Sequence, residues 1–213
     1  MEVPVGRAVL LVDLDGTFVD TVPDLAPAAL QAARAHGLPI RLAADAADLR
    51  TAAGGGAAAM LRALTGLSEP PAAAITAMID AYAADIARYS RPFVGTESWL
   101  AYPLAVVTNK PLRLAARLMG RLFDRPPLLC TPETAGAAKP DAAMMFEAAR
   151  HLGAGPADVI VVGDDPRDEA SAVAAGMRFV AAGWGYAPPE IWRDRRDIAV
   201  LQQPAALIDL VAR

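Results

Sequence analysis

Two carboxylates stand two positions apart in Val12-Asp13-Leu14-Asp15-Gly16-Thr17, at the end of the apolar run 9–14. An extended backbone places side chains two apart on the same side. Crowding two acids costs electrostatic energy, and such a pair suits a division of labour in which one carboxylate is nucleophile and metal ligand while the other moves a proton. An isolated Asp-x-Asp-Gly is equally well read as a turn. The motifs that accompany it decide between the two readings.

Gly163-Asp164-Asp165-Pro166-Arg167-Asp168 follows a second apolar run, so Asp164 should emerge at the carboxyl edge of a parallel sheet, where doubly wound folds bind their ligands. A carboxylate there, near Asp13, would be repelled unless a cation lay between them. An oxygen-only donor set of this kind favours Mg2+. Asp168 has two readings. It can serve the metal site, or, with Asp165 as N-cap and Pro166 at the first helical position, it can stabilise a helix start.

Val106-Val107-Thr108-Asn109-Lys110-Pro111 ends a third apolar run with a hydroxyl, an amide and an ammonium, just before a helix that Pro111 would open. That is an anion site, and Thr108 or Asn109 acting as a simple N-cap is the competing reading. Lys139, in Lys139-Pro140-Asp141, precedes another helix, where a lone lysine is usually a solvated charge. Its value lies in balance, because several carboxylates and a phosphate dianion need more positive charge than one divalent ion supplies.

The elements that must position these residues alternate. Apolar runs at 9–14, 104–107, 159–162 and 179–182 read as strands buried on both faces, with helical patterns at 112–122, 142–152 and 167–175 between them. The class is α/β, a doubly wound parallel sheet, with a further strand at 198–201 and a closing helix at 205–211. Residues 24–89 break the alternation with helical patterns near 24–36, 44–50, 56–64 and 72–89, separated by Gly37-Leu38-Pro39, Gly54-Gly55-Gly56 and Pro70-Pro71. This predicts an inserted all-helical cap over residues 18–92 and a catalytic core formed by 1–17 and 93–213. Trp99, Trp184, Trp192, Met144 and Met145 read as packing residues, and His36 as a cation at a helix end.

Composition narrows the function. A net charge of -4 offers no basic field for nucleic acid or anionic lipid, so neither is an expected partner, and the apolar stretch 8–12 is too short to span a bilayer. With no secretion-signal pattern, a cytoplasmic location is expected. Cys130 is the only cysteine, which excludes an intrachain disulfide and a cysteine zinc cluster. A small-molecule substrate is the expected partner, and monomer and homodimer both stay open.

The order Asp-x-Asp-Gly-Thr, Thr-Asn, Lys-Pro, Gly-Asp-x-x-x-Asp resembles the haloacid dehalogenase superfamily over nearly the whole chain. The resemblance implies a Rossmann-like core with a helical cap inserted after the first motif. It implies that Asp13 attacks phosphorus, that Asp15 protonates the leaving alcohol and then activates water, and that Thr108 and Lys139 bind the phosphoryl group. Asp164 and Asp13 would hold magnesium with the Asp15 backbone carbonyl, and Asp168 would orient that site. Dehalogenases of the group differ where this chain has Asp15, and the imine-forming hydrolases need a cap lysine that residues 18–92 lack. Segments 19–25, 107–111 and 183–186, and the run Arg50-Thr51-Ala52-Ala53-Gly54-Gly55-Gly56, look like those of phosphoglycolate phosphatases. In that run glycines let backbone N–H groups approach a substrate, and Arg50 has the charge to pair with a second anionic group; a helix break with a solvated arginine is the alternative. The resemblance implies a magnesium-dependent phosphatase acting on 2-phosphoglycolate or a similar metabolite. The alternatives are a β-phosphoglucomutase-like sugar phosphomutase and a sugar-phosphate phosphatase. The stretch 95–103 has room for barely two helical turns, fewer than such relatives carry.

Overall fold

The structure is a computed structural model that describes residues 8–41 and 46–211. It has two compact units, one built from the chain up to Val19 together with the chain from Pro92 onward, the other from Asp20–Arg91.

The first unit is a six-stranded parallel sheet flanked by helices. Its strands are β1 (Val9–Val12), β4 (Leu104–Val107), β5 (Leu128–Cys130), β6 (Val159–Gly163), β7 (Arg178–Ala182) and β8 (Ala199–Leu201), in the order β5-β4-β1-β6-β7-β8. Every residue of β1 is fully buried, as a central parallel strand of β-branched and leucine side chains requires. Strand order reverses at β1, and Val12 pairs in register with Val106 of β4 and Val162 of β6. The residues that follow these strands therefore emerge together at the carboxyl edge, at the switch point where such sheets bind ligands.

The helices α5 (Leu112–Leu122), α7 (Ala143–Leu152), α8 (Pro166–Ala174) and α10 (Ala206–Val211) lie close to the bounds their apolar spacing predicts, and two one-turn helices, α6 (Pro132–Ala135) and α9 (Glu190–Arg193), join them. Met144 and Met145 of α7 are buried in the core with Val9, Leu11 and Val161. A 3-10 helix, Thr96–Ala101, fills the short stretch before β4. Its Trp99 is fully buried, stacks on Phe18 with centroids 5.9 Å apart and donates from Nε1 to the Pro204 carbonyl at 3.1 Å. Phe18 also stacks on Phe123 at 5.2 Å, so aromatic packing clamps the loop that follows β1.

Three details depart from expectation. β1 ends at Val12, because Phe18 and Val19 both donate to the Leu14 carbonyl and fold 14–19 into a tight loop. The Asp13 N–H still bonds the Val162 carbonyl, and Asp15 lies beyond the strand, bridged to Val19 within that loop. β5 was hidden in sequence by its three-residue length and flanking prolines, features that confine it to the sheet edge. Pro111 is the N-cap of α5, with Leu112 its first residue, so neither Thr108 nor Asn109 caps the helix.

The second unit holds α1 (Val22–Ala35), α2 (Ala46–Ala53), α3 (Gly56–Thr65) and α4 (Ala72–Ala84). The helical pattern at 44–50 begins outside the described residues, and α2 continues to Ala53. Gly56 breaks α2 from α3 with a φ of 73°, a conformation that favours glycine. α4 stops five residues short of Tyr89. The reason is Asp24, a buried carboxylate that accepts from Tyr89 N–H at 2.8 Å, Ser90 N–H at 2.9 Å and the Ser90 hydroxyl at 2.6 Å, drawing 89–90 out of helical geometry. The segments where the chain enters and leaves this unit, β2 (Val19–Asp20) and β3 (Arg91–Pro92), pair as a two-stranded sheet. Among the described residues no helix is long and apolar enough to cross a membrane.

Candidate active site

Three strand ends and one loop converge at the carboxyl edge of the first unit. Asp13 follows β1 with its N–H on the Val162 carbonyl, Thr108 follows β4 with its N–H on the Cys130 carbonyl, and Asp164 follows β6. Lys139 comes from the loop before α7, where its peptide bond to Pro140 is cis.

Carboxylate oxygens of Asp13, Asp164 and Asp168 lie within 4.8 Å of one another, a group able to hold a metal ion. Lys139 is threaded among them. Its Nζ donates to Asp13 Oδ1 at 2.5 Å, to Asp168 Oδ1 at 2.6 Å and to the Val107 carbonyl at 2.8 Å, and its side chain is 4% exposed. Burial pushes the Asp13 carboxyl well above the usual carboxylate range, Asp168 and Asp164 push the same way, and Lys139 opposes them. Burial likewise raises Asp164, to about 7, with Asp168 adding to it and the Tyr186 N–H and Thr17 hydroxyl acting against. For Lys139 burial acts downward, but Asp13 and Asp168 outweigh it and hold the ammonium above the ordinary lysine value. Three carboxyls thus surround one ammonium, and ionising all of them calls for a further cation. The cluster's hard oxygen donors are of the kind that takes a divalent cation such as magnesium or calcium.

Asp168 stabilises the helix start, as one of its two readings had it, and also faces the acidic cluster. Its Oδ2 accepts from Asp165 N–H at 3.1 Å in a capping box that starts α8 behind Pro166, while its Oδ1 meets Lys139.

The Thr-Asn-Lys segment divides into three tasks. The Thr108 hydroxyl accepts from Lys110 N–H at 3.1 Å. The Asn109 amide grips the backbone of Lys139 from both sides, donating to its carbonyl at 3.0 Å and accepting from its N–H at 2.8 Å. Lys110 Nζ reaches Asp15, 2.9 Å from Oδ1 and 3.2 Å from Oδ2. Asp15 and Asp13 are thus held by different lysines.

Residues without an assignment in sequence also shape the site. The Thr17 hydroxyl donates to Asp164 Oδ1 at 2.7 Å, and Tyr186 N–H donates to Oδ2 at 2.6 Å. Gly16, at φ 92°, has no room for a side chain, since a Cβ would stand 2.6 Å from Asp164 Oδ2. A Cβ on Gly185 would collide with the Asp164 side chain, and one on Gly163 with that of Asp168. The signal was present in the Gly-x-Gly-Tyr run at 183–186, where two glycines around a tryptophan mark close backbone approach. Trp184 supports the same loop by donating from Nε1 to the Thr17 carbonyl at 3.1 Å.

Arg50, Gly54, Gly55 and Gly56 belong to the second unit. Arg50 pairs with Asp20 at 3.6 Å, both partly exposed. Gly55 is the N-cap of α3, where a Cβ would stand 2.6 Å from that of Ala59.

The family model for haloacid dehalogenase-like hydrolases matches residues 8–176. The chain belongs to this family. It is 35% identical to N-acetylmuramic acid 6-phosphate phosphatase of Pseudomonas aeruginosa, over 96% of this chain and 94% of that one. It is 34% identical to phosphoglycolate phosphatase of Chromobacterium violaceum, over 82% and 84% of the two chains. Its fold matches that of a predicted phosphoglycolate phosphatase from Haemophilus somnus with a TM-score of 0.80 at 23% identity, covering 98% and 99%. The protein is a family hydrolase of the phosphoric monoester class, as these relatives are.

Proposed function

We propose that this protein hydrolyses a small phosphate monoester that also carries a carboxylate, through an aspartyl-phosphate formed on Asp13. The observation that carries the reading is the ammonium of Lys139, 2.5 Å from Asp13 and 2.6 Å from Asp168, beside a third carboxylate at Asp164. Such a cluster of like charges around a cation suits a phosphoryl group, whose own negative charge needs fixed positive partners and a metal. The second half of the reading rests on the relatives: phosphoglycolate and N-acetylmuramic acid 6-phosphate differ in size but are both phosphorylated acids.

In the first step an Asp13 oxygen forms a bond to phosphorus as the bond to the leaving oxygen breaks, and that oxygen takes a proton from the Asp15 carboxyl. In the second, water attacks the phosphoryl group, Asp15 takes the water proton, and Asp13 departs as a carboxylate with release of inorganic phosphate. Thr108 and Lys139 bind the phosphoryl oxygens. Asp13, Asp164 and the Asp15 backbone carbonyl are the residues that would hold magnesium, with Asp168 orienting them. When bound, the ion offsets charge on the transferring group.

The test is phosphate release from 2-phosphoglycolate, N-acetylmuramic acid 6-phosphate and neutral sugar phosphates, each with magnesium and with chelator. Metal-dependent turnover favouring the acids is expected. Absence of turnover on every member, or conversion to an isomer without free phosphate, would sink the proposal.

A further inference from the structure

If Asp15 is the proton carrier, its orientation decides whether the leaving oxygen is served, and Lys110 is a side chain that holds it. Lys110 Nζ sits between the two carboxylate oxygens, 2.9 Å from Oδ1 and 3.2 Å from Oδ2, with the side chains 7% and 16% exposed. An aspartate side chain turns about two bonds. A donor on one oxygen leaves the last of them free, whereas a donor shared by both oxygens fixes the carboxyl plane. A carboxyl protonated on Oδ2 still accepts from Lys110 through Oδ1, so the contact survives both halves of the reaction.

Lys110 itself starts from a fixed root. Its N–H is tied to the Thr108 hydroxyl, and the neighbouring Asn109 is locked at both ends of its amide onto Lys139. Composition points the same way. Two lysines stand among 20 basic residues, and both ammonium groups are enclosed against carboxylates of this site, Lys139 on Asp13 and Asp168, Lys110 on Asp15. A chain that otherwise uses arginine keeps the compact, rotatable ammonium for the two places where a cation is enclosed.

We propose that Lys110 is a positioning residue for Asp15, aiming the carboxyl at the leaving oxygen, and not a ligand of the phosphoryl group. This rests on the phosphatase reading above, and it departs from the anion-binding role that the sequence alone suggests for Lys110.

The experiment compares wild type, Lys110→Met and Lys110→Arg, each checked for folding by thermal melting. First-turnover rates and KM are read across aryl and alkyl phosphate monoesters of increasing leaving-group basicity. On p-nitrophenyl phosphate, whose leaving group departs without a proton, Lys110→Met should lose less than about threefold; on an alkyl phosphate it should lose on the order of 30-fold, part of the roughly 100-fold or more that a placed proton donor contributes. KM should change little, and Lys110→Arg should fall between. A penalty equal across the series, or confined to KM, would assign Lys110 to phosphoryl binding and overturn the proposal. Wild type inactive on every ester would remove the phosphatase reading itself, a result distinct from an active wild type with a flat penalty. Should Lys110→Met fail to fold, the Lys110→Arg series is read by the same criterion.

Discussion

Lys139 and Asp13, 126 positions apart in sequence, meet at 2.5 Å. The approach depends on Asn109, which holds the Lys139 backbone, and on β1, which delivers Asp13 to the same edge. Lys139→Met should leave Asp13 and Asp168 without their cation and destabilise the fold by about 3 kcal/mol, the low end for breaking a buried ion pair. Urea unfolding measures it, and a change within about 0.5 kcal/mol, the usual range for a surface substitution, would show that the ammonium is structurally dispensable.

Asp13→Asn is expected to abolish turnover while melting within a few degrees of wild type. It removes the proposed nucleophile, but it also replaces a carboxyl that burial disfavours as an anion, and Lys139 keeps Asp168 and the Val107 carbonyl. Residual turnover near the wild-type rate would contradict the assignment.

Gly185→Ala places a methyl group where the Asp164 side chain stands. Asp164 must shift, losing its fit to the Tyr186 N–H and the Thr17 hydroxyl. We expect magnesium affinity to fall by at least about tenfold, as for disturbed partners of metal ligands, together with a loss of stability of about 1–3 kcal/mol from the overpacking. Titration calorimetry with magnesium reads this directly, and unaltered affinity would mean that Asp164 is not a ligand.

The acid cluster also fixes a pH dependence. The folded-state carboxyls of Asp13 and Asp164 are raised, Asp164 to about 7, so the folded protein binds protons that the unfolded chain has already released. Their stabilisation is complete below the unfolded carboxylate range and is lost as pH rises through the folded values. In chelator, the melting temperature should therefore fall between pH 5 and about pH 8, and magnesium should restore it at the upper end. A melting temperature that climbs over that interval in chelator would contradict this picture of the site.

In the second unit, Asp24→Ala removes three hydrogen bonds to Tyr89 and Ser90. A loss of about 2 kcal/mol is expected, within the range for a charged acceptor whose donors are left buried, and Asp24→Asn should recover part of it. Equal unfolding midpoints for Asp24→Ala and wild type would rule this out.

Where the sequence was legible, a single periodicity governed it. β4 and α5 occupy the bounds their patterns predict, because each is an uninterrupted run whose buried face is set locally. The overshoot of α4 to Tyr89 had a non-local cause: Asp24 lies 65 positions from Tyr89, and nothing in the alanine-rich pattern records its pull. The same holds in the site. The four motifs mark which loops meet at the carboxyl edge, but that Asn109 serves the Lys139 backbone and that Thr17 and Tyr186 bracket Asp164 follow from how strands register, which spacing along the chain does not encode.

The enclosure of both lysines has a practical side. Reagents that attach dyes, biotin or a solid support through side-chain amines have only Lys110 and Lys139 to react with, and reaction at either would break its ion pair with Asp15 or Asp13. Thiol coupling is no easier, since Cys130 is buried and burial pushes its thiol up to about 11. A conjugate of this protein that keeps its chemistry intact calls for an introduced handle on the outer surface.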